Sequence, residues 1–92
     1  MSEVRKIVPI TNSRGLHARA SAKFVTYVCK LPDSLDVRVA KDGTEVTGTS
    51  IMGLMMLGAA KGDSIEIIVA GTQAEGALEK LVGLVVDGFG ED

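Results

Sequence analysis

The chain has no tryptophan, one tyrosine and two phenylalanines, so aromatics make up 3% of its 92 residues. Its core must be aliphatic, drawn from Val, Ile, Leu, Ala and Met, and no aromatic platform for stacking nucleic-acid bases is present. A single cysteine excludes an internal disulfide and a cysteine-rich zinc site. In its aliphatic setting Cys29 is expected to be a buried free thiol in a reducing compartment. No stretch approaches the ~20 apolar residues of a membrane span. The opening segment, residues 1–15, lacks the apolar run of a signal peptide. A cytoplasmic protein without membrane insertion is therefore expected. With 46% hydrophobic and 24% charged residues the composition is that of a globular chain, which excludes a disordered one. At this length a single domain spanning residues 1–92 is expected.

The net charge of −2 conceals an asymmetry. Residues 1–32 carry six bases (Arg5, Lys6, Arg14, Arg19, Lys23, Lys30) against Glu3 alone, a local +5. Residues 33–92 carry four bases against eleven acids, a local −7. A basic third within an acidic chain fits an anionic ligand or an acidic partner surface better than nucleic acid.

Hydrophobic periodicity sets the element order. Residues 4–10 read as a strand with Val8 and Ile10 inward, and Pro9, which has no amide hydrogen, predicts a sheet edge. After a loop over 11–16, Ser21, Phe24, Val25, Val28 and Leu31 recur at steps of three and four, which predicts a helix over about 18–30. Leu35, Val37 and Val39 alternate with polar residues. Asp42-Gly43 is a hairpin turn signal, and residues 44–47 form the return strand. Thr49 and Ser50 open a short helix over 51–57. Ile65, Ile67 and Val69 mark a strand over 64–70. Apolar positions from Ala74 to Val85 mark a terminal helix ending near Val86. The order β-α-β-β-α-β-α, with one hairpin and single-faced alternation, predicts a two-layer α/β sandwich. Its antiparallel sheet carries three helices on one face and leaves the other open.

Three features could carry chemistry. His17, the sole histidine, directly precedes a helix, between Arg14 and Arg19 and one turn before Lys23. No Ser, Thr, Asp or Asn stands immediately ahead of that helix, so its first amides lack an obvious side-chain cap. Free N-terminal amides, the positive end of the helix dipole and two arginines form an anion site. A neutral imidazole beside it is a competent nucleophile. An ordinary surface or capping histidine is the alternative, and spacing alone leaves both open. Ser50 reads first as a helix cap, a role compatible with phosphorylation at a helix start. The helix that follows, Ile51-Met52-Gly53-Leu54-Met55-Met56-Leu57, is apolar nearly all round. A short helix on a two-layer domain cannot bury every side, so Ile51, Met52 and Met55 are expected to form an exposed contact patch. The carboxylates show no acid/base pairing or metal-ligand spacing, and neither a cofactor nor a metal is expected.

Gly15-Leu16-His17-Ala18-Arg19-Ala20-Ser21-Ala22 and the run from Ser50 to Gly62, Ser-Ile-Met-Gly-Leu-Met-Met-Leu-Gly-Ala-Ala-Lys-Gly, resemble the histidine-containing phosphocarrier (HPr) family of the phosphoenolpyruvate-dependent phosphotransferase system. The likeness covers essentially the whole chain. It implies sheet order 1-4-2-3 and a monomeric carrier whose His17 accepts a phosphoryl group on Nδ1 from phosphorylated enzyme I and passes it to an enzyme IIA domain. It further implies that Arg19 steadies the phosphate and that Ser50 is the target of a dedicated kinase/phosphorylase. Ile51, Met52, Met55 and Ala22 fall on the implied docking surface. Ala20 stands where the family often has proline, and it keeps an amide donor that proline lacks. This form also resembles the nitrogen-branch paralogue (NPr). A carrier of this kind is a phosphohistidine intermediate rather than an enzyme with its own turnover. Two rival readings are a binding module controlled only at Ser50 and a small acid/base enzyme using His17. The second would need another catalytic group and an enclosed pocket.

Overall fold

Proline at position 9 removes one amide from any ladder, and the chain accommodates it where that loss costs least. In the computed structural model, which describes residues 3–91, strand β1 (Glu3–Pro9) lies at the sheet edge and pairs antiparallel with β4 (Ser64–Ala70) alone, Pro9 opposite Ser64. The remaining strands are β2 (Asp36–Lys41) and β3 (Thr44–Thr47), giving the order β1-β4-β2-β3 with every pairing antiparallel. Asp42 and Gly43, both at positive φ (50° and 84°), form the tight turn joining β2 to β3.

Helices α1 (Ala18–Cys29), α2 (Ile51–Met56) and α3 (Ala74–Val86) cover one face. Inward residues of the strands, among them Val8, Val39, Ile67 and Val69, pack with Phe24 of α1, Leu54 of α2 and Leu81 of α3 in one aliphatic core. The fold is the expected open-faced α/β sandwich. α3 lies over β1 and β4, and α2 packs beside α1. No helix among the described residues is long and apolar enough to cross a membrane.

One local expectation changes, and two features were not foreseen. Cys29 is exposed, not buried. The buried face of α1 runs through Ser21, Phe24 and Val28, and Cys29 lies about 100° beyond Val28 at the last helical position. Ile68 belongs to the open face by alternation, yet it is only 3% accessible. Its cross-strand neighbours are Arg5 on β1 and Arg38 on β2, whose aliphatic stems can shelter it while their guanidinium groups stay in water. The chain also continues past α3 into a short 3₁₀ turn, Gly88–Gly90, with Phe89 buried at φ 59°. This segment becomes central to the site.

Candidate functional site

The loop before α1 is built on Gly15. Its φ is +63°, and a Cβ there would lie 2.3 Å from the carbonyl oxygen of Ala59. The Leu16 amide donates to that same carbonyl at 2.9 Å. The Gly15 amide donates to the Asn12 carbonyl at 3.1 Å, and Asn12 Nδ2 donates back to the Gly15 carbonyl at 2.8 Å. Residues 12–15 are thus a locked turn seated against the segment after α2, and they deliver residue 17 to a fixed place.

His17 is the N-cap of α1, with extended backbone, and its carbonyl accepts from the Ser21 amide at 2.9 Å. The helix start is therefore not without a side-chain cap, as the sequence led us to expect: Nδ1 of His17 itself accepts from the Arg19 amide, at a long 3.3 Å. A backbone amide can only donate, so Nδ1 carries no proton. The ring hydrogen must sit on Nε2, which donates to Oε2 of Glu91 at 2.7 Å. Nδ1 is left as the basic, weakly engaged nitrogen. It stands beside the first-turn amides of Ala18 and Ala20, which have no intrahelical acceptor, and at the positive end of the α1 dipole.

Glu91 is the residue that reading along the chain missed. No spacing rule connects positions separated by 74 residues. The tail is tied down at several points. Lys23 Nζ donates to the Phe89 carbonyl at 2.7 Å, Asn12 Nδ2 donates to Glu91 Oε1 at 3.0 Å, and Thr11 Oγ1 donates to the Val86 carbonyl at 3.1 Å. Partial burial by itself would push the Glu91 carboxyl up. The hydrogen bonds from His17 and Asn12, with the charge of Lys23 and, once the ring is protonated in acid, that of His17, outweigh it and hold the group below the usual glutamate range.

In front of this arrangement lies a cleft of about 400 Å³ lined by Ser13, Arg14, Arg19, Lys23, Gly90 and Glu91. The imidazole stands at its rim, since each ring nitrogen is bonded to a residue that lines it. The basic groups near His17 in sequence are therefore also gathered in space.

Ser50 caps α2 as expected, its Oγ accepting from the Gly53 amide at 2.9 Å. Ile51, Met52 and Met55 are exposed, at 39%, 68% and 39%. Met56, not singled out from the sequence, is more exposed still at 80%. Leu54 alone of this helix is fully buried. Ala22 is half-buried and floors a groove along α1 between Arg19, Lys23 and Lys30.

Comparison with known proteins bears on the family and the fold. The family model described as "PTS HPr component phosphorylation site" matches residues 4–87. Phosphocarrier protein HPr of Neisseria meningitidis serogroup A is 42% identical over 88 residues, covering 96% of this chain and 97% of the relative. Phosphocarrier protein NPr of Escherichia coli K12 is 38% identical over 92 residues, covering 97% and 98% respectively. The crystal structure of HPr-C-His from Thermoanaerobacter tengcongensis superposes with a TM-score of 0.86 at 39% identity, covering 100% of this chain and 99% of that one. With its sheet order, helix layer and near-complete sequence match, the chain belongs to the HPr family of phosphocarriers of the phosphotransferase system.

Proposed function

We propose that His17 accepts a phosphoryl group on Nδ1 from phosphorylated enzyme I and passes it to an enzyme IIA domain, in sugar uptake or nitrogen-related regulation in the cytoplasm. The observation that carries this reading is the hydrogen-bond pattern of the ring: Nδ1 accepts from the Arg19 amide of a helix N-terminus at a long 3.3 Å, while Nε2 lies 2.7 Å from Glu91 Oε2. The Nδ1 lone pair attacks phosphorus in line, and the donor nitrogen of enzyme I leaves with its bonding pair. The ring gains positive charge as the N–P bond forms, and the Glu91 carboxylate on Nε2–H stabilises that charge. The Arg19 amide, released from Nδ1, is placed to donate to a phosphoryl oxygen, and the Arg19 guanidinium neutralises the group in flight. Transfer to enzyme IIA is the same step in reverse.

Ile51, Met52, Met55 and Ala22 supply the apolar and adaptable part of the docking surface, and Arg19, Lys23 and Lys30 its basic rim. Ser50 caps the helix that bears this patch. A kinase/phosphorylase that modified it would place a dianion beside Ile51 and Met52, where acidic partner surfaces would be repelled. Incubation with phosphoenolpyruvate and enzyme I tests the central claim. The intact mass is expected to rise by one acid-labile phosphate in the parent and not in His17→Ala. A His17→Ala protein that still gained acid-labile phosphate would remove His17 from the role.

A further inference from the structure

The four arginines of this chain fall into two pairs with opposite fates. Arg5 bridges Glu3 at 2.6 Å and Glu66 at 3.1 Å, and Arg38 bridges Asp36 at 3.0 Å and Glu45 at 2.8 Å. Both lie on the open face of the sheet. Arg14 and Arg19 are exposed, and neither guanidinium has an ion-pair partner among the described residues. Both line the cleft of about 400 Å³ beside His17. The other charged groups of that cleft are already engaged: Lys23 with the Phe89 carbonyl at 2.7 Å, and Glu91 with His17 and Asn12. Of the described acids, Glu91 is engaged with His17 and Asn12, and Glu3, Glu66, Asp36 and Glu45 pair with the other two arginines.

We infer that Arg14 is a second phosphoryl-binding guanidinium, which holds the group on His17 jointly with Arg19. The inference rests on the phosphocarrier reading and adds to it a residue that the family resemblance did not assign. The backbone of Arg14 is fixed by the turn that Asn12 and Gly15 lock, so its side chain fans from an immobile root. A phosphoryl dianion on Nδ1 offers three oxygens. Each carries more than one lone pair, so acceptor capacity remains after one guanidinium has engaged two of them and helix amides another. A guanidinium from the loop side completes the cradle opposite Arg19, which rises from α1. In this role Arg14 is a positioning and binding residue. It breaks and makes no bond, and its effect falls on the stored phosphohistidine.

The test follows the phosphoryl group by ³¹P NMR in parent, Arg14→Ala and Arg14→Lys, each charged with enzyme I and phosphoenolpyruvate. A nearby cation favours the dianion, so the second ionisation of the phosphoryl group should move up in pH in Arg14→Ala. The phosphorylated fraction at a fixed phosphoenolpyruvate-to-pyruvate ratio should fall, with an equilibrium constant reduced on the order of tenfold. Lysine should restore the charge effect on ionisation but only part of the equilibrium, because it lacks the planar fork. A residue that merely supported the loop would change the melting temperature and leave the ionisation where it was. An unchanged ionisation and equilibrium in Arg14→Ala would overturn the inference. If the parent itself took no phosphoryl group, the phosphocarrier reading would fail, and inorganic phosphate would then decide for Arg14. Binding that weakens in Arg14→Ala supports an anion-holding role, and equal binding in both proteins refutes it.

Discussion

Replacing Gly15 by alanine isolates the element on which the site geometry depends. Two costs can be separated. An L-residue at φ +63° gives up about 1–2 kcal/mol relative to glycine. The new methyl would then sit 2.3 Å from the Ala59 carbonyl oxygen and 2.9 Å from the Ala60 Cα, both backbone atoms that cannot swing aside. Overpacking of this kind costs about 1–3 kcal/mol. Forcing the loop away also breaks the Leu16 amide bond to Ala59, worth about 0.5–1.5 kcal/mol. The expected loss is roughly 3–6 kcal/mol, a large part of the total stability of a domain this size. Gly43→Ala is the control. Its φ is +84°, but a Cβ there meets nothing within 4 Å, so only the conformational cost of about 1–2 kcal/mol applies. Urea unfolding of parent, Gly15→Ala and Gly43→Ala measures both. ³¹P-detected phosphorylation in native buffer then reports whether the residual folded Gly15→Ala protein still presents His17. If Gly15→Ala lost no more stability than Gly43→Ala, the close approach to Ala59 would not be what holds the loop.

Two further predictions concern Ser50 and Glu91. Ser50→Ala should lose about 1 kcal/mol by stripping the Gly53 amide of its acceptor. Ser50→Asp should melt near the parent, because a carboxylate can still cap that amide at a helix N-terminus. The Asp variant should nonetheless bind enzyme I about tenfold more weakly, a change of about 1.4 kcal/mol. Calorimetric titration showing equal affinity would argue against regulation at this serine. The lowered titration of Glu91 fixes the sign of its pH effect. The pairing contributes above the ordinary glutamate value near 4.3 and is lost as pH falls through the depressed value. The gap in urea midpoint between parent and Glu91→Gln should therefore close on acidification below about pH 4.3. A gap persisting to pH 2.5 would mean that the carboxylate charge is not what the pairing uses.

The pattern of single residues decided a great deal. Alternation at Val37/Val39 and Ile65/Ile67/Val69 specified strands, because successive side chains of a strand must point to opposite faces. Asp42-Gly43 specified the hairpin, Pro9 the edge, and Ser50 the start of α2, each through backbone chemistry confined to a few residues. The surplus of apolar side chains on α2 specified an exposed patch, since six residues of helix cannot turn every face inward. Cys29 escaped this kind of reading. Its hydrophobic neighbours in sequence do not share its side of α1, and one step of about 100° carries it into solvent. Ile68 escaped it from the other side, because its cover comes from arginines on two other strands.

The site itself divides in the same way. His17, Arg14, Arg19 and Lys23 are neighbours in sequence, so a reading of the loop and the first turns of α1 finds them all. Glu91 and the Phe89 carbonyl come from the far end of the chain, and nothing in the loop predicts them. They arrive because the sheet order β1-β4-β2-β3 sets α3 over β1 and β4, which returns the segment after Val86 to the mouth of the β1–α1 loop. The chemical type of the site is thus local. The contact of Nε2 with Glu91 and, among the described residues, the two guanidinium groups without an ion-pair partner around one cleft are consequences of tertiary structure, because they depend on which distant carboxylates the fold brings near, whereas the Arg19 amide on Nδ1 is local.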